Sequence, residues 1–256
     1  MTNKFKDLKN KNVIITGGSG FIGKQISKAF IEQGSKIFIL DLKIYKSNKH
    51  IKFFQTDITK SNEVYKVLNF LKMKNIKLDI LINNAANDYK PNKNTKNNLK
   101  LESFSDTLWD NDINVGLKGA YLCTKIFGSY MANNRGGKIL NVASDLGIVA
   151  PNQDLYNKEK FIKPVTYSVV KHGIIGLTKY TASYWAKKNI RCNAIAPGGM
   201  SNNQNKNFIK KINKIIPIGR MAKKNEFNDL ILFLSSDSSS YMTGSIVVAD
   251  GGRTII

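Results

Sequence analysis

Cysteine, histidine and tryptophan are scarce in this sequence, and it has no long apolar run. Its 256 residues include 2 cysteines, 2 histidines and 2 tryptophans. Cys123 and Cys192 have neither a histidine nor a second cysteine nearby, so the sequence predicts two buried, reduced thiols, no disulfide and no metal site. No run approaches the roughly 18 apolar residues that span a bilayer, and the N-terminal segment lacks the apolar core of a signal peptide. We therefore expect a cytoplasmic protein with no membrane partner.

Acidic residues are few relative to basic ones. The chain has 40 lysines and arginines against 18 aspartates and glutamates, which gives a formal net charge of +22. Basic residues clustered on one face bind nucleic acid, but here lysine is spread along the whole chain beside abundant asparagine. We interpret the charge as a compositional bias, with a modest preference for anionic ligands as the alternative, and we expect no nucleic-acid partner. A nucleotide-sensing or nucleic-acid-binding protein without catalytic activity is the non-enzymatic alternative.

Short β-rich runs alternate with longer segments of helical period. This alternation is typical of a parallel sheet covered by helices on both faces, and an apolar content of 42% suits a single domain over 1–256. The predicted strands are 12–16, 36–40, 51–55, 79–83, 138–142, 191–196 and 245–249. The predicted helices are 20–33, 61–74, about 104–133, 167–188 and about 225–235, with Gly34 capping the first. Three polar loops, 87–100, 151–163 and 200–207, are expected to form the substrate rim.

A glycine-rich turn follows the first predicted strand. Residues 16–23 read TGGSGFIG, so Gly17, Gly20 and Gly23 have the spacing G-x-x-G-x-x-G at the start of a predicted helix. Glycine lets the backbone approach a pyrophosphate, whose charge is met by free N–H groups and the positive end of the helix dipole. The motif favours a dinucleotide site, although a glycine-rich turn with a purely structural role has the same pattern.

Two acidic residues follow the next two predicted strands. Asp41 ends the second strand, 18 residues after Gly23, where a carboxylate accepts hydrogen bonds from the adenosine ribose and repels a 2′-phosphate. We therefore expect NAD(H) in preference to NADP(H), with Lys43 softening that preference. Asp57, after the third strand, either receives the adenine amino group or caps the strand end.

Three residues have the chemistry of proton transfer. Tyr167 and Lys171 are four residues apart at the start of a predicted helix, so their side chains lie on one face. A free tyrosine has a pKa of about 10, but a nearby ammonium and an oxidised nicotinamide favour its phenolate. Ser144 ends the fifth predicted strand and is expected at the same sheet edge as the glycine turn. The set predicts general acid–base catalysis beside a nicotinamide cofactor.

Together these motifs resemble the short-chain dehydrogenase/reductase family over nearly the whole chain. The resemblance implies a Rossmann-type doubly wound α/β fold with a seven-stranded parallel sheet in the order 3-2-1-4-5-6-7. It also implies an oxidoreductase that acts on CH–OH groups and assembles as a homodimer or homotetramer. The matching segments occur in family order: TGGSGFIG, Asp41, Asp57, NNAA at 83–86, Asn114, Ser144, Tyr167 with Lys171, Pro197-Gly198, and Asp-Gly-Gly at 250–252.

The resemblance implies a role for individual residues as well. Tyr167 would be the acid–base, Ser144 would hold the substrate oxygen, and Lys171 would bind the nicotinamide ribose and lower the tyrosine pKa. Asn114 would hold a water in a proton relay behind Lys171. The implied cofactor contacts are Gly17, Ser19, Gly20, Phe21, Ile22, Gly23, Asp41, Asp57, Ile58, Asn84, Ala85, Ala86, Tyr167, Lys171, Pro197, Gly198 and Met200.

Two features depart from the compact, single-domain branch of the family. Its members usually have the middle glycine at the position of Phe21 rather than Gly20, and the 23-residue distance from Ser144 to Tyr167 exceeds their usual spacing. Both features are similar to those of the larger sugar-nucleotide epimerases and dehydratases. The NNAA, Pro-Gly and terminal Asp-Gly-Gly motifs still favour the compact branch.

The long segment between Ser144 and Tyr167 resembles that of oxidoreductases from bacterial surface-sugar loci, including those named for flagellin modification in nonulosonic acid pathways. This implies a sugar or activated sugar, whose phosphate or carboxylate would meet Lys158, Lys160 and Lys163; a solvated loop is the alternative. We expect reversible oxidation of a secondary alcohol to a ketone. The other enzymatic hypotheses are epimerisation or dehydration with transient hydride transfer, and reduction of a 3-oxoacyl thioester, which ranks lower because those reductases usually take NADP(H).

Overall fold

One seven-stranded parallel sheet forms the centre of the computed structural model, which describes residues 4–87, 99–156 and 161–256. The strands pair in the order β3-β2-β1-β4-β5-β6-β7, which confirms the expected order. Each observed boundary lies within one residue of the predicted one. The strands are β1 Asn12–Thr16, β2 Lys36–Asp41, β3 Ile51–Gln55, β4 Ile80–Asn83, β5 Gly137–Val142, β6 Ile190–Pro197 and β7 Ile246–Ala249.

Helices connect the strands and cover both faces of the sheet. Two π-helical turns, Asn114–Lys118 and Thr124–Gly128, join three short α-helices end to end, so the predicted helix over about 104–133 is one continuous helical segment. Gly34 follows the first helix with a φ of +82°, as predicted for a C-cap. The α-helices are α1 Phe21–Glu32, α2 Ser61–Met73, α3 Asp106–Ile113, α4 Gly119–Cys123, α5 Ser129–Ala132, α6 Val165–Trp185, α7 Lys206–Lys214 and α8 Asn228–Ser235.

Helix α7 begins inside a segment that the sequence predicts to be a loop up to residue 207. Four of its nine residues are lysines, but Ile212 is buried in a small apolar cluster with Leu155 and Met221. The Asn205 side chain caps the helix by accepting the backbone N–H of Asn207 at 2.8 Å. The cap and the buried isoleucine together end the predicted loop two residues early.

The two faces of the sheet bury separate apolar clusters. On one face α1 and α8 pack against the strands, with Phe30 and Ile15 fully buried. On the other face α2 and the segment from α4 to α5 pack against the strands, with Phe127 and Ile14 fully buried. Because neighbouring residues of one strand enter different clusters, the strands are apolar at nearly every position, which is what the sequence shows.

The two cysteines are both buried and free, as predicted. Burial raises the pKa of the Cys123 thiol to about 12 and that of the Cys192 thiol to about 12, so both are protonated at neutral pH. Within the described residues, no group of three or more histidine, cysteine, aspartate or glutamate side chains is arranged to hold a metal ion. Nor does any helix in those ranges have the length and apolar character needed to cross a membrane.

Candidate active site

The turn between β1 and α1 requires glycine at two positions. Gly17 has a φ of +65°, and a Cβ atom there would lie 2.8 Å from the Cα atom of Ala85. A Cβ atom on Gly23 would lie 2.3 Å from the carbonyl oxygen of Gly17. The N-cap of α1, Gly20, has no side-chain cap, and the first helical turn has no acidic residue. The backbone N–H groups at this end of α1 therefore remain available for an anion such as a pyrophosphate.

Thr16 and Asn84 join the end of β4 to the glycine turn. The side-chain amide of Asn84 donates to the carbonyl oxygens of Thr16 and Gly17 at 3.0 and 3.1 Å. The Thr16 hydroxyl oxygen accepts the backbone N–H groups of Asn84 and Ala85 at 3.0 and 3.1 Å. The Asn84 side chain therefore holds the turn in place, and Ala85 and Ala86 line the cleft beside it.

The Asp41 carboxylate lies at the end of β2, against the glycine turn. Its Oδ2 atom accepts the Ser19 backbone N–H at 2.9 Å, and its Oδ1 atom accepts the Lys43 backbone N–H at 2.9 Å. The Ser19 hydroxyl donates to the Lys43 carbonyl oxygen at 2.7 Å, which closes this small network. A carboxylate has about four acceptor positions, so Asp41 is held in place and still has acceptor capacity for a ribose hydroxyl.

Asp57 follows β3, and its carboxylate holds a local turn. Its Oδ1 atom accepts the backbone N–H and the hydroxyl of Thr59 at 3.0 and 2.7 Å, and Lys60 lies 3.4 Å from its Oδ2 atom. Partial burial alone would raise the pKa of Asp57, but the hydrogen bonds from Thr59 and the contact with Lys60 outweigh it and lower that pKa below its usual value. This geometry matches the strand-end cap, and the adenine contact stays a prediction.

The residues predicted for proton transfer meet at the carboxyl end of β5. Lys171 is buried, its ammonium donates to the carbonyl oxygen of Val142 at 2.8 Å, and it lies 5.8 Å from the centre of the Tyr167 ring. Ser144, two residues after the strand, is also buried. Asn114 begins the first π-helical turn, where its carbonyl oxygen accepts a backbone N–H. The structure therefore brings Ser144, Tyr167 and Lys171 to one place, while the role of Asn114 stays a prediction.

Two charged residues outside the predicted set lie beside Ser144. The Ser144 hydroxyl donates to Oδ1 of Asp145 at 2.8 Å, and Nη1 of Arg253 donates to Oδ2 of Asp145 at 2.5 Å. The two charged side chains are only 4% and 9% exposed. Asp145 follows the predicted serine and Arg253 follows the Gly-Gly pair, but nothing in the sequence links positions 108 residues apart.

A lysine from the segment before α6 lies over the Tyr167 ring. The ammonium of Lys163 is 3.7 Å from the ring centre. The Gln153 side-chain amide donates to the Lys163 carbonyl oxygen and accepts its backbone N–H, both at 3.0 Å. Lys163 thus lies in the cleft beside Tyr167, and its contact with a substrate anion stays a prediction. Lys158 and Lys160, like most of the predicted loop 87–100, lie outside the described residues.

One cleft connects the glycine turn, Asp41, Asp57 and the residues predicted for proton transfer. It has a volume of about 1180 Å³, and every predicted cofactor contact lines it, together with Ser144, Lys163 and Arg253. Of the predicted site residues, Asn114 does not line it. The glycine turn and the Asp41 carboxylate stand in the part formed by β1 and β2, and the proton-transfer residues stand in the part formed by β5 and α6. The cleft therefore fits a nicotinamide dinucleotide together with a small substrate.

Curated relatives match the chain over nearly its whole length. A family model described as enoyl-(acyl carrier protein) reductase matches residues 19–254. The 3-oxoacyl-[acyl-carrier-protein] reductase of Thermotoga maritima is 32% identical over 263 residues, with 97% of this chain and 99% of that protein covered. The NAD-dependent glycerol dehydrogenase of Listeria innocua is 31% identical over 261 residues, with 97% and 96% covered.

Solved structures match the fold closely. A short chain dehydrogenase from Leptospira borgpetersenii with bound NAD+ has a TM-score of 0.88 and 29% identity, with 99% of this chain and 96% of that chain covered. The aldohexose dehydrogenase of Thermoplasma acidophilum has a TM-score of 0.84 and 27% identity, with 98% and 97% covered. The likeness therefore extends over the whole sheet and its helices.

Proposed function

Because the chain belongs to the short-chain dehydrogenase/reductase family and is therefore an NAD(P)-dependent oxidoreductase of CH–OH groups, we propose that it uses NAD(H) to interconvert a secondary alcohol and a ketone on a sugar or activated sugar. One observation carries this proposal. Asp41 and the glycine turn line one part of a cleft, and the same cleft is lined in another part by Ser144, Tyr167 and Lys171.

The preference for NAD(H) rests on Asp41. Its carboxylate is fixed by two backbone N–H groups and has room to accept a ribose hydroxyl. The same charge repels a 2′-phosphate. Two of the proteins to which the chain is similar carry NAD in their names, the glycerol dehydrogenase and the NAD+-bound dehydrogenase, which supports the same preference.

The proposed chemistry assigns proton transfer to Tyr167. The nicotinamide, when bound, supplies the hydride acceptor or donor. Tyr167 as phenolate takes the hydroxyl proton of the alcohol, and the ammonium of Lys171, held on the Val142 carbonyl oxygen, favours that phenolate. Ser144 holds the substrate oxygen by a hydrogen bond. In the reducing direction the same groups act in reverse.

A water-mediated relay from Asn114 is proposed for the return of the proton to solvent. A cavity of about 10 Å³ is lined by Asp112, Gly116, Tyr167 and Lys171 among others. That volume is close to the space one water needs. Gly116 belongs to the π-helical turn that Asn114 begins, which supports a relay along this turn.

The substrate class rests on Lys163. Its ammonium lies over the ring of Tyr167 and lines the cleft, so a carboxylate or phosphate bound there would stand beside the reacting group. Similarity to a glycerol dehydrogenase and an aldohexose dehydrogenase supports a polyhydroxy substrate. The long segment between Ser144 and Tyr167 supports the finer proposal of a role in bacterial surface-sugar or nonulosonic acid biosynthesis.

A second candidate is reduction of a 3-oxoacyl thioester, which the similarity to the Thermotoga maritima reductase favours. An epimerase or dehydratase with transient hydride transfer is a third, motivated by Gly20 and by the long Ser144 to Tyr167 spacing. Net formation of NADH separates this third candidate from our proposal, because an epimerase returns the cofactor to NAD+ in each turnover.

A homodimer or homotetramer is also proposed from the family. Tyr180 and Tyr184 of α6 are exposed and stacked on each other, which supports a contact between subunits at this helix.

The test is calorimetric titration with NAD+, NADH, NADP+ and NADPH, followed by turnover measured at 340 nm. The substrate panel is glycerol, D-glucose, D-gluconate, glucose 6-phosphate, a nucleoside diphosphate sugar and an acetoacetyl thioester. We expect tight NAD(H) binding and net NADH formation with a carbohydrate. Tyr167→Phe should bind NAD+ normally and lose turnover at least a hundredfold. Turnover of the thioester alone, with NADPH, would replace this proposal by the second candidate.

A further inference from the structure

Asp145 and Arg253 form a buried ion pair against Ser144, and the proposed chemistry does not use them. Asp145 is buried and directly follows the serine. Arg253 comes from the other end of the chain and lines the same cleft. Two charges are costly to bury, and a pair of this kind is weak evidence for stability.

The Asp145 carboxylate accepts the one hydrogen of the Ser144 hydroxyl. That hydroxyl donates to Oδ1 of Asp145 at 2.8 Å, while its oxygen accepts the Leu146 backbone N–H at 3.2 Å. To donate to a substrate oxygen, the hydroxyl has to leave Asp145. How readily it leaves depends on how strongly the carboxylate attracts the hydrogen, and a hydrogen bond to an ionised acceptor is about twice as strong as a neutral one.

Arg253 weakens that attraction by sharing the carboxylate charge. Its Nη1 atom donates to the other carboxylate oxygen, Oδ2, at 2.5 Å. Backbone geometry holds the arginine there, because the Asp250 carboxylate accepts the N–H groups of Gly252 and Thr254 at 2.9 and 2.7 Å. Without the guanidinium, Asp145 would be a buried carboxylate whose strongest remaining donors are Ser144 and one backbone N–H.

We propose that Asp145 and Arg253 are positioning residues that set the direction of the Ser144 hydroxyl and make its hydrogen available to the substrate oxygen. Asp145 holds the hydroxyl in one orientation before the substrate binds. Arg253 keeps that hold weak enough for the hydrogen to move from the carboxylate to the substrate oxygen. This inference rests on the proposed function, because it takes Ser144 to contact the substrate.

The test compares Arg253→Gln, Arg253→Lys and the double variant Asp145→Asn/Arg253→Gln. Turnover is measured with NAD+ and the panel compound that the wild-type protein oxidises fastest, and NAD+ binding is measured by calorimetry. Arg253→Gln should lower kcat about 10- to 100-fold at unchanged NAD+ affinity, because Asp145 then retains the serine hydrogen. Arg253→Lys should keep most of the activity.

The double variant decides between this role and a direct substrate contact. Asparagine at 145 is a neutral acceptor that releases the serine hydrogen, so Asp145→Asn/Arg253→Gln should recover most of the kcat that Arg253→Gln loses. An arginine that bound the substrate itself would not be replaced in this way. A double variant as slow as Arg253→Gln, or an Arg253→Gln variant as fast as the wild type, would overturn the inference.

Ser144→Ala supplies the second measurement. In the Ser144→Ala background, Arg253→Gln should have no further effect on kcat, because the pair acts through the serine. An undiminished effect of Arg253→Gln there would count against the inference.

If the wild-type protein turns over no panel compound, the proposed function fails, and urea unfolding then tests whether the pair is coupled to Ser144. The shift of the urea midpoint caused by Ser144→Ala should be larger in the wild type than in Asp145→Asn/Arg253→Gln; equal shifts would refute the coupling.

Discussion

If Asp41 sets the proposed preference for NAD(H), changing it to asparagine should bring the affinities for NAD+ and NADP+ close together. The substitution keeps the size of the side chain and removes its charge. In the structure the carboxylate is fixed by the backbone N–H groups of Ser19 and Lys43, each at 2.9 Å. An amide has only one oxygen, so one of these two N–H groups loses its acceptor, at a cost to stability of about 1 to 2 kcal/mol.

The magnitude follows from the charge that is removed. Two unit charges about 5 Å apart interact by roughly 3 kcal/mol at an effective dielectric constant of about 20. Asp41 is partly exposed, so solvent screening lowers this repulsion to about 1.5 to 3 kcal/mol, or roughly 10- to 100-fold in the Kd for NADP+. On the NAD+ side, a neutral acceptor in place of a charged one costs about 1 kcal/mol, or roughly fivefold. The Kd for NADP+ divided by the Kd for NAD+ should therefore fall by roughly 100-fold.

Calorimetric titration of both variants with NAD+ and NADP+ measures this ratio directly. Asp57→Asn is the matched control, because Asp57 lines the same cleft and loses the same charge but is engaged in its own turn with Thr59. We expect its ratio to stay within about threefold of the wild-type value. If Asp41→Asn leaves the ratio unchanged, or if Asp57→Asn shifts it as strongly, Asp41 does not set the cofactor preference.

Three further predictions concern the glycine turn, the substrate and the core. Gly23→Ala places a Cβ atom 2.3 Å from the Gly17 carbonyl oxygen, so NAD+ binding should disappear in calorimetry. Gly176→Ala in α6 is the control, because a Cβ atom there meets nothing within 4 Å. It should bind NAD+ as the wild type does and raise the unfolding free energy by up to about 1 kcal/mol. Equal NAD+ binding by the two variants would contradict the steric reasoning. Lys163→Gln should raise KM about tenfold for D-gluconate and leave KM for D-glucose unchanged, because only gluconate carries a charge for the ammonium to bind. An equal rise in KM for both compounds would refute the proposed contact between Lys163 and a substrate anion. Phe30→Ala, at a fully buried position, should lower the unfolding free energy in urea by about 3 to 5 kcal/mol, and a loss below about 1 kcal/mol would show that this side of the core is loosely packed.

The strands were predictable because a sheet covered on both faces imposes an apolar residue at nearly every strand position, whereas their order was expected from the resemblance to the family. Ile14 and Ile15 are adjacent in sequence and enter opposite clusters, so no polar residue fits at either position. Helix α7 was less predictable, since a helix of nine residues has little stability of its own. It is stabilised by burial of Ile212 against Leu155, which lies more than fifty positions earlier in the chain.

The sequence by itself determined the features that depend on short distances along the chain. The glycine turn follows directly from β1, and Tyr167 and Lys171 share a helix face because they are four residues apart. Only the tertiary structure decided which distant groups meet. The ion pair of Asp145 with Arg253 and the place of Lys163 over the tyrosine ring depend on how loops and the C-terminal turn pack onto the sheet edge. Such contacts have no sequence period, because their geometry is set by the packing of whole elements rather than by the spacing of residues within one of them.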